Sequence, residues 1–126
     1  DAFLFFPYIE KKITVLHITR GKGGRLHVKR ESSLFGAIKK VLKLDSIRII
    51  KVGGDESEAV AFSEQRAGSG GNNVEPGKVC IWDRNVATMK ALEKGGIDVV
   101  AVEADELVKG GGGPRCSTMP LWRDDI

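Results

Sequence analysis

The stretch KGGGGPRC, residues 109–116, constrains this chain more than any other feature of the sequence. Glycine loses more conformational freedom on folding than any other residue. Four in succession are therefore costly unless the backbone turns tightly or comes very close to another group. The fold must supply something for this backbone to lie against. The residue delivered at the end of the run is Cys116, a potential nucleophile. A flexible loop before a last strand is the plainer alternative.

At 126 residues the chain is one domain or part of one. It contains no apolar run long enough for a membrane span and no basic segment leading into a long apolar stretch. The expectation is a cytoplasmic protein without membrane contact. The chain begins at Asp1 inside the apolar run "FLFF", which suggests a piece cut from something longer. Its two cysteines, Cys80 and Cys116, do not make a disulfide framework. Cys80 lies in the apolar run "KVCIW" and reads as a small core residue. With no CxxC, and with His17 and His27 off metal-ligand spacing, no metal is expected.

Charge is uneven. Residues 1–51 carry twelve Lys/Arg against four Asp/Glu, while residues 52–126 carry eight against thirteen. The basic half interleaves its charges with predicted elements and has no aromatic stacking pattern. It reads as a solvated face, and no nucleic acid is expected.

Strands are predicted at 3–9, 13–18, 26–29, 46–52, 78–82 and 97–102 from their apolar, β-branched runs. A helix over 33–43 follows from Leu34, Phe35, Ile38, Val41 and Leu42 on one face, with Ser32 or Ser33 as its cap. A second helix opens at Asp55 or Ser57, and "RAGSGGNN" reads as loop. A third helix is capped by Asn85, turns Val86, Met89 and Leu92 inward and ends at Gly95. The segment "CSTMPL" reads as a short last strand. Strands alternating with helices predict an α/β fold, with two repeat-like units at about 13–52 and 78–102 and a loop at 109–120.

The sequence "GGGGPR" lacks the spacing and the following helix of a phosphate-binding Walker loop. Its context is more specific. Asn72-Asn73, Pro76-Gly77, Asp83-Arg84-Asn85, Glu106-Leu107, Gly110 to Gly113 and Cys116 through Pro120 together resemble the C-terminal end of arginine deiminases. The resemblance is strongest from about residue 44 onward. It implies a pentein-type α/β propeller of repeated ββαβ units, of which residues 1–126 would be the C-terminal fragment of one catalytic domain. It also implies hydrolysis of L-arginine to L-citrulline and ammonia without a cofactor. Cys116 would be the nucleophile, with Gly110 and Gly111 at the substrate. A guanidinium is planar and always charged, and its carbon becomes electrophilic when carboxylates grip its nitrogens.

Two departures accompany the resemblance. The family usually has an arginine five residues before the cysteine, where this chain has Gly111. Agmatine or a modified arginine therefore stays open as substrate. The family's general acid/base is a His two residues before an Asp, but His17 is followed by Ile-Thr and His27 by Val-Lys. That motif and the gripping carboxylates are expected upstream, so the missing N-terminal part of the same protein is an expected partner, beside a possible homo-oligomer. The chain alone is expected to be inactive. Asp55, Glu56 and Glu64 are the carboxylates nearest in sequence to a substitute. Asp55 and Glu56 read as helix-start residues and Glu64 as part of a loop pattern. A noncatalytic interaction domain is the reading from another class.

Overall fold

The computed structural model describes residues 2–8, 13–122 and 124. Its elements run β1 (Ala2–Phe5), β2 (Val15–Arg20), β3 (Leu26–Glu31), α1 (Leu34–Leu42), β4 (Arg48–Lys51), α2 (Glu58–Arg66), β5 (Asn72–Glu75), β6 (Lys78–Trp82), α3 (Val86–Lys94) and β7 (Asp98–Val102). The architecture is mixed α/β. The chain divides into two compact units, one dominated by residues 7–49 and the other by residues 50–126.

In the first unit β2 and β3 form an antiparallel hairpin, with Leu16 opposite Arg30, Ile18 opposite Val28 and Arg20 opposite Leu26. Alternation puts these six residues on one face. The connecting turn uses Gly23 and Gly24 at φ of 71° and 78°. Helix α1 is capped by Ser33, whose Oγ accepts from Gly36 N at 3.2 Å. Lys43 ends it in the left-handed conformation. Phe3, Leu16, Ile18, Leu34, Ile38 and Val41 line an apolar groove of about 380 Å³. No described residue before Ile50 is buried.

The second unit holds the core. Strands β6 and β7 pair in parallel, Lys78 to Asp98 through Trp82 to Val102, and α3 makes the crossover that a parallel pair requires. Strand β5 pairs antiparallel on the other side of β6, with an irregularity between Asn73 and Glu75. Ile50, Val52, Ala61, Val79, Ile81, Trp82, Leu92 and Ala104 are the buried apolar side chains. Phe6 packs edge-on against Phe62 at 5.1 Å between ring centres.

Several expectations are corrected. Pro7 and Tyr8 lie in a turn, so the first strand stops at Phe5; Ile9, in the predicted strand, is outside the described residues. The second strand runs from Val15 to Arg20, two residues later than expected. Asn72 and Asn73 belong to a strand, not a loop. This edge strand has no apolar alternation to announce it, and the Pro76-Gly77 turn folds it back on β6, with Gly77 at φ 78°. Residues 114–117 form turns, and among the described residues no strand follows the glycine run. In α3 the inward residues are Thr88 and Leu92, while Val86 is exposed. Gly95 has an ordinary negative φ, and the left-handed residue after the helix is Gly96.

Candidate active site

The glycine run lies against a second glycine loop. A Cβ on Gly113 would fall 2.1 Å from the Gly70 carbonyl oxygen and 2.7 Å from that of Gly68. A Cβ on Gly68 would fall 2.1 Å from the Gly112 oxygen, and Gly68 has φ 76°. The two backbones touch where no side chain fits. Gly110 and Gly111 differ, because a Cβ on either meets nothing within 4 Å. Gly111 is needed for its φ of 75°, not for space. Close approach within the run is thus to the protein's own backbone at Gly113, and at Gly112 to the Cys116 side chain, whose Cβ would lie 3.0 Å from an added Cβ. Gly110 and Gly111 are exposed.

Gly113 and Pro114 are buried, and from there the chain turns outward. Gly113 O accepts from Cys116 N at 3.0 Å and Ser117 N at 3.2 Å, and Thr118 Oγ1 donates to Pro114 O at 2.9 Å. The result is one hydrogen-bonded turn on a buried base, with Cys116 exposed as a free thiol. Cys80, by contrast, is half-buried within β6, opposite Asn72 and Val100, short of the full burial expected of a core residue.

The turn between β6 and α3 supports both loops. Trp82 Nε1 donates to Gly112 O at 3.0 Å, and Asn85 Nδ2 donates to Gly68 O at 3.4 Å. Asn85 stands at the N-cap position of α3, but its side chain makes no cap bond. Glu64 does so from α2. Its Oε1 accepts from Ala87 N at 2.7 Å, and its Oε2 accepts from Thr88 N at 2.9 Å and Thr88 Oγ1 at 2.5 Å. A carboxylate is favoured there because the first N–H groups of a helix lack internal partners and carry its positive end. Thr88 Oγ1 in turn accepts from Gly53 N at 2.9 Å. The loop reading of Glu64 is therefore corrected: it is a buried residue of α2 tied to α3. Sequence reasoning missed this role because a cap reaching across from another helix leaves no local spacing signal.

The remaining charged candidates are placed as follows. Asp55 is exposed and pairs with Lys94 at 3.2 Å. Glu56 is exposed between the end of β4 and α2. Asp83 has one buried carboxylate oxygen, and Asn85 one buried amide oxygen, without a hydrogen-bond partner among the described residues. His17 lies 3.7 Å from Glu31 in the hairpin of the first unit. Among the described residues no group of three His, Cys, Asp or Glu side chains could hold a metal ion, and no helix is long and apolar enough to cross a membrane.

Cys116 thus stands exposed on a base formed where two glycine loops meet, and comparison with known proteins gives the family. The family model for arginine deiminase matches residues 1–123. The chain belongs to the arginine deiminase family. It is 33% identical over 129 residues to the arginine deiminase of Lactococcus lactis subsp. cremoris and 36% identical over 128 residues to that of Treponema denticola. Identity to the Streptococcus uberis arginine deiminase is 33% over 126 residues. Each match takes in all of this chain but only 31–32% of the relative, so the chain spans about a third of the length of these proteins.

Proposed function

We propose that this chain is the C-terminal, nucleophile-bearing part of an enzyme that hydrolyses L-arginine to L-citrulline and ammonia in the cytoplasm. The observation that carries the reading is Cys116, exposed at the end of a turn whose base at Gly113 and Pro114 is buried. A nucleophile needs to be both accessible and held. In this reading the Cys116 thiolate attacks the guanidinium carbon and forms a C–S bond. The leaving nitrogen takes a proton and departs as ammonia, leaving a thiouronium. Water adds to the same carbon, the C–S bond breaks, and citrulline and the thiolate are released. Gly110 and Gly111, with open flanks, offer backbone groups to the substrate.

The proton donor and the carboxylates that grip the guanidinium come from the part of the protein outside this chain. Two observations support that division. The sequence contains no His-x-Asp. Glu64 is committed to the N-terminus of α3 by three hydrogen bonds. The complete domain is a propeller of repeated units, to which residues 1–126 contribute about 13–52, 78–102 and the nucleophile loop 109–120. The isolated chain is inactive, because general acid/base catalysis alone contributes about 10² to 10⁴ in rate.

In the complete enzyme, Cys116→Ala removes the covalent path, and citrulline formation falls by more than about 10³-fold. Cys80→Ala keeps turnover per folded molecule and lowers only stability. Equal loss of turnover in both variants at matched folded fraction would refute the assignment. Agmatine tested beside arginine separates the two substrates that Gly111 leaves open.

A further inference from the structure

We propose that Trp82 is a positioning residue for Cys116, acting through the Gly112 carbonyl, with Asn85 holding the facing loop. The inference rests on the reading of Cys116 as nucleophile. Trp82 is the last residue of β6 and only 4% exposed. Its single polar atom is spent on Gly112 O, thirty positions along the chain. Gly111 and Gly112 have φ of 75° and 86°. Two glycines in succession leave the intervening peptides free to rotate, so the loop does not set its own geometry. The indole N–H supplies the missing constraint.

Residue 112 also lies against the cysteine. A Cβ there would sit 3.0 Å from Cys116 Cβ and 3.7 Å from its Sγ. Rotation of the Gly112 peptide therefore moves the wall against which the thiol rests. The opposite loop is held by the same structural turn, because Asn85 stands three residues after Trp82 and donates to Gly68 O. Asn85 is fully buried, yet its amide oxygen has no partner among the described residues. An unpaired buried amide oxygen is costly. A residue kept for stability alone would sit there poorly, whereas one kept to hold Gly68 O needs only its nitrogen. Trp82 and Asn85 thus grip the two glycine loops from one strand-to-helix corner, and Cys116 takes its place from their contact.

The test uses the complete enzyme with position 82 changed in two ways. Trp82→Phe keeps a ring without the N–H. Replacement by 3-benzothienylalanine keeps the shape of indole and exchanges N–H for sulfur. Two quantities are read: the pH profile of Cys116 alkylation by iodoacetamide without substrate, and kcat and KM for citrulline formation. In both variants the plateau alkylation rate and kcat shift by about threefold to tenfold, the effect of one hydrogen bond, while KM holds within about twofold. Should Trp82→Phe fail to fold, the isosteric replacement decides alone. An unaltered alkylation profile in the folded isostere overturns the proposal, as does a rise in KM at constant kcat or a loss that only tracks the folded fraction. If the unmodified enzyme forms no citrulline, the deiminase reading fails, and the alkylation profile still decides the role of Trp82.

Discussion

The two units of the chain are built from similar elements and differ in what they enclose. The first has a hairpin and an amphipathic helix with good caps, yet Leu16, Ile18, Leu26 and Val28 remain between 52% and 61% exposed. The second has poorer amphipathic patterning in its helices but a real core, with Ile81 at 0% exposure. Patterning announces elements. Enclosure requires connections that bring elements together, and in the second unit these are polar: Glu64 to α3, Trp82 to Gly112, Asn85 to Gly68. The candidate nucleophile belongs to the enclosed unit.

The strongest way to break this contrast is inside the glycine run. Gly113→Ala drives a methyl into the Gly70 and Gly68 carbonyls and destabilises the chain by about 3 kcal/mol, at the upper end for overpacking. Gly111→Arg meets open space and costs only the strain of a backbone at φ 75°, ψ 165°, a region essentially reserved for glycine, about 1–3 kcal/mol. In the complete enzyme it keeps part of its activity. Urea unfolding of both variants checks the order, and a reversed order would mean that the loops are not in contact as described.

Next in size is Glu64→Gln, which replaces a charged acceptor by an amide at three hydrogen bonds. A loss of about 2 kcal/mol is expected, since bonds to charged groups are worth about 1.5–3 kcal/mol. Thermal unfolding that leaves this variant unchanged would remove Glu64 from the connections that make the second unit.

The first unit responds far less. Leu26→Ser, at a 61% exposed site, shifts the stability of the chain by no more than about 0.5 kcal/mol in denaturant titration. A large loss would show that the hairpin face is covered in solution.

The smallest effect is electrostatic. A hydrogen bond from Lys29 draws the Glu31 carboxyl below its usual value of 4.5, aided by the charges of Lys29, Lys40 and His17. A lowered folded pKa means stability that is present above the unfolded value and lost as pH falls through the folded one. Lys29→Ala should therefore remove a small stabilisation present above about pH 4.5 and make the acid-induced loss below it correspondingly shallower, small because the Lys29 side chain is exposed to solvent. Unfolding midpoints of both proteins across that range measure it.

What the sequence made legible follows the same division. Helix α1 was readable within a residue at each end, because its apolar spacing and Ser33 cap are local. Strand β6 was readable to the residue from its apolar run. Strand β5 was not, since an exposed edge strand of sequence NNVE satisfies its backbone without any apolar face. The prominence of Cys116 was visible from the glycines before it, whereas their reason was not. It lies in a loop more than forty residues earlier, and backbone-to-backbone contact leaves no trace in side-chain pattern.

The bonding of Glu64 has a consequence for how the second unit opens. The amide protons of Gly53, Ala87 and Thr88 are shielded by one cluster, Thr88 and Glu64, contributed by two helices. Ala87 and Thr88 cannot be exposed to solvent without separating α2 from the start of α3, and Gly53 cannot be exposed without leaving Thr88. Their hydrogen exchange is therefore coupled through Thr88 and is not set by fraying at a helix end alone. The end of β4, α2 and the first turn of α3 are coupled in their opening, and the corner that carries Trp82 and Asn85 belongs to that coupled region.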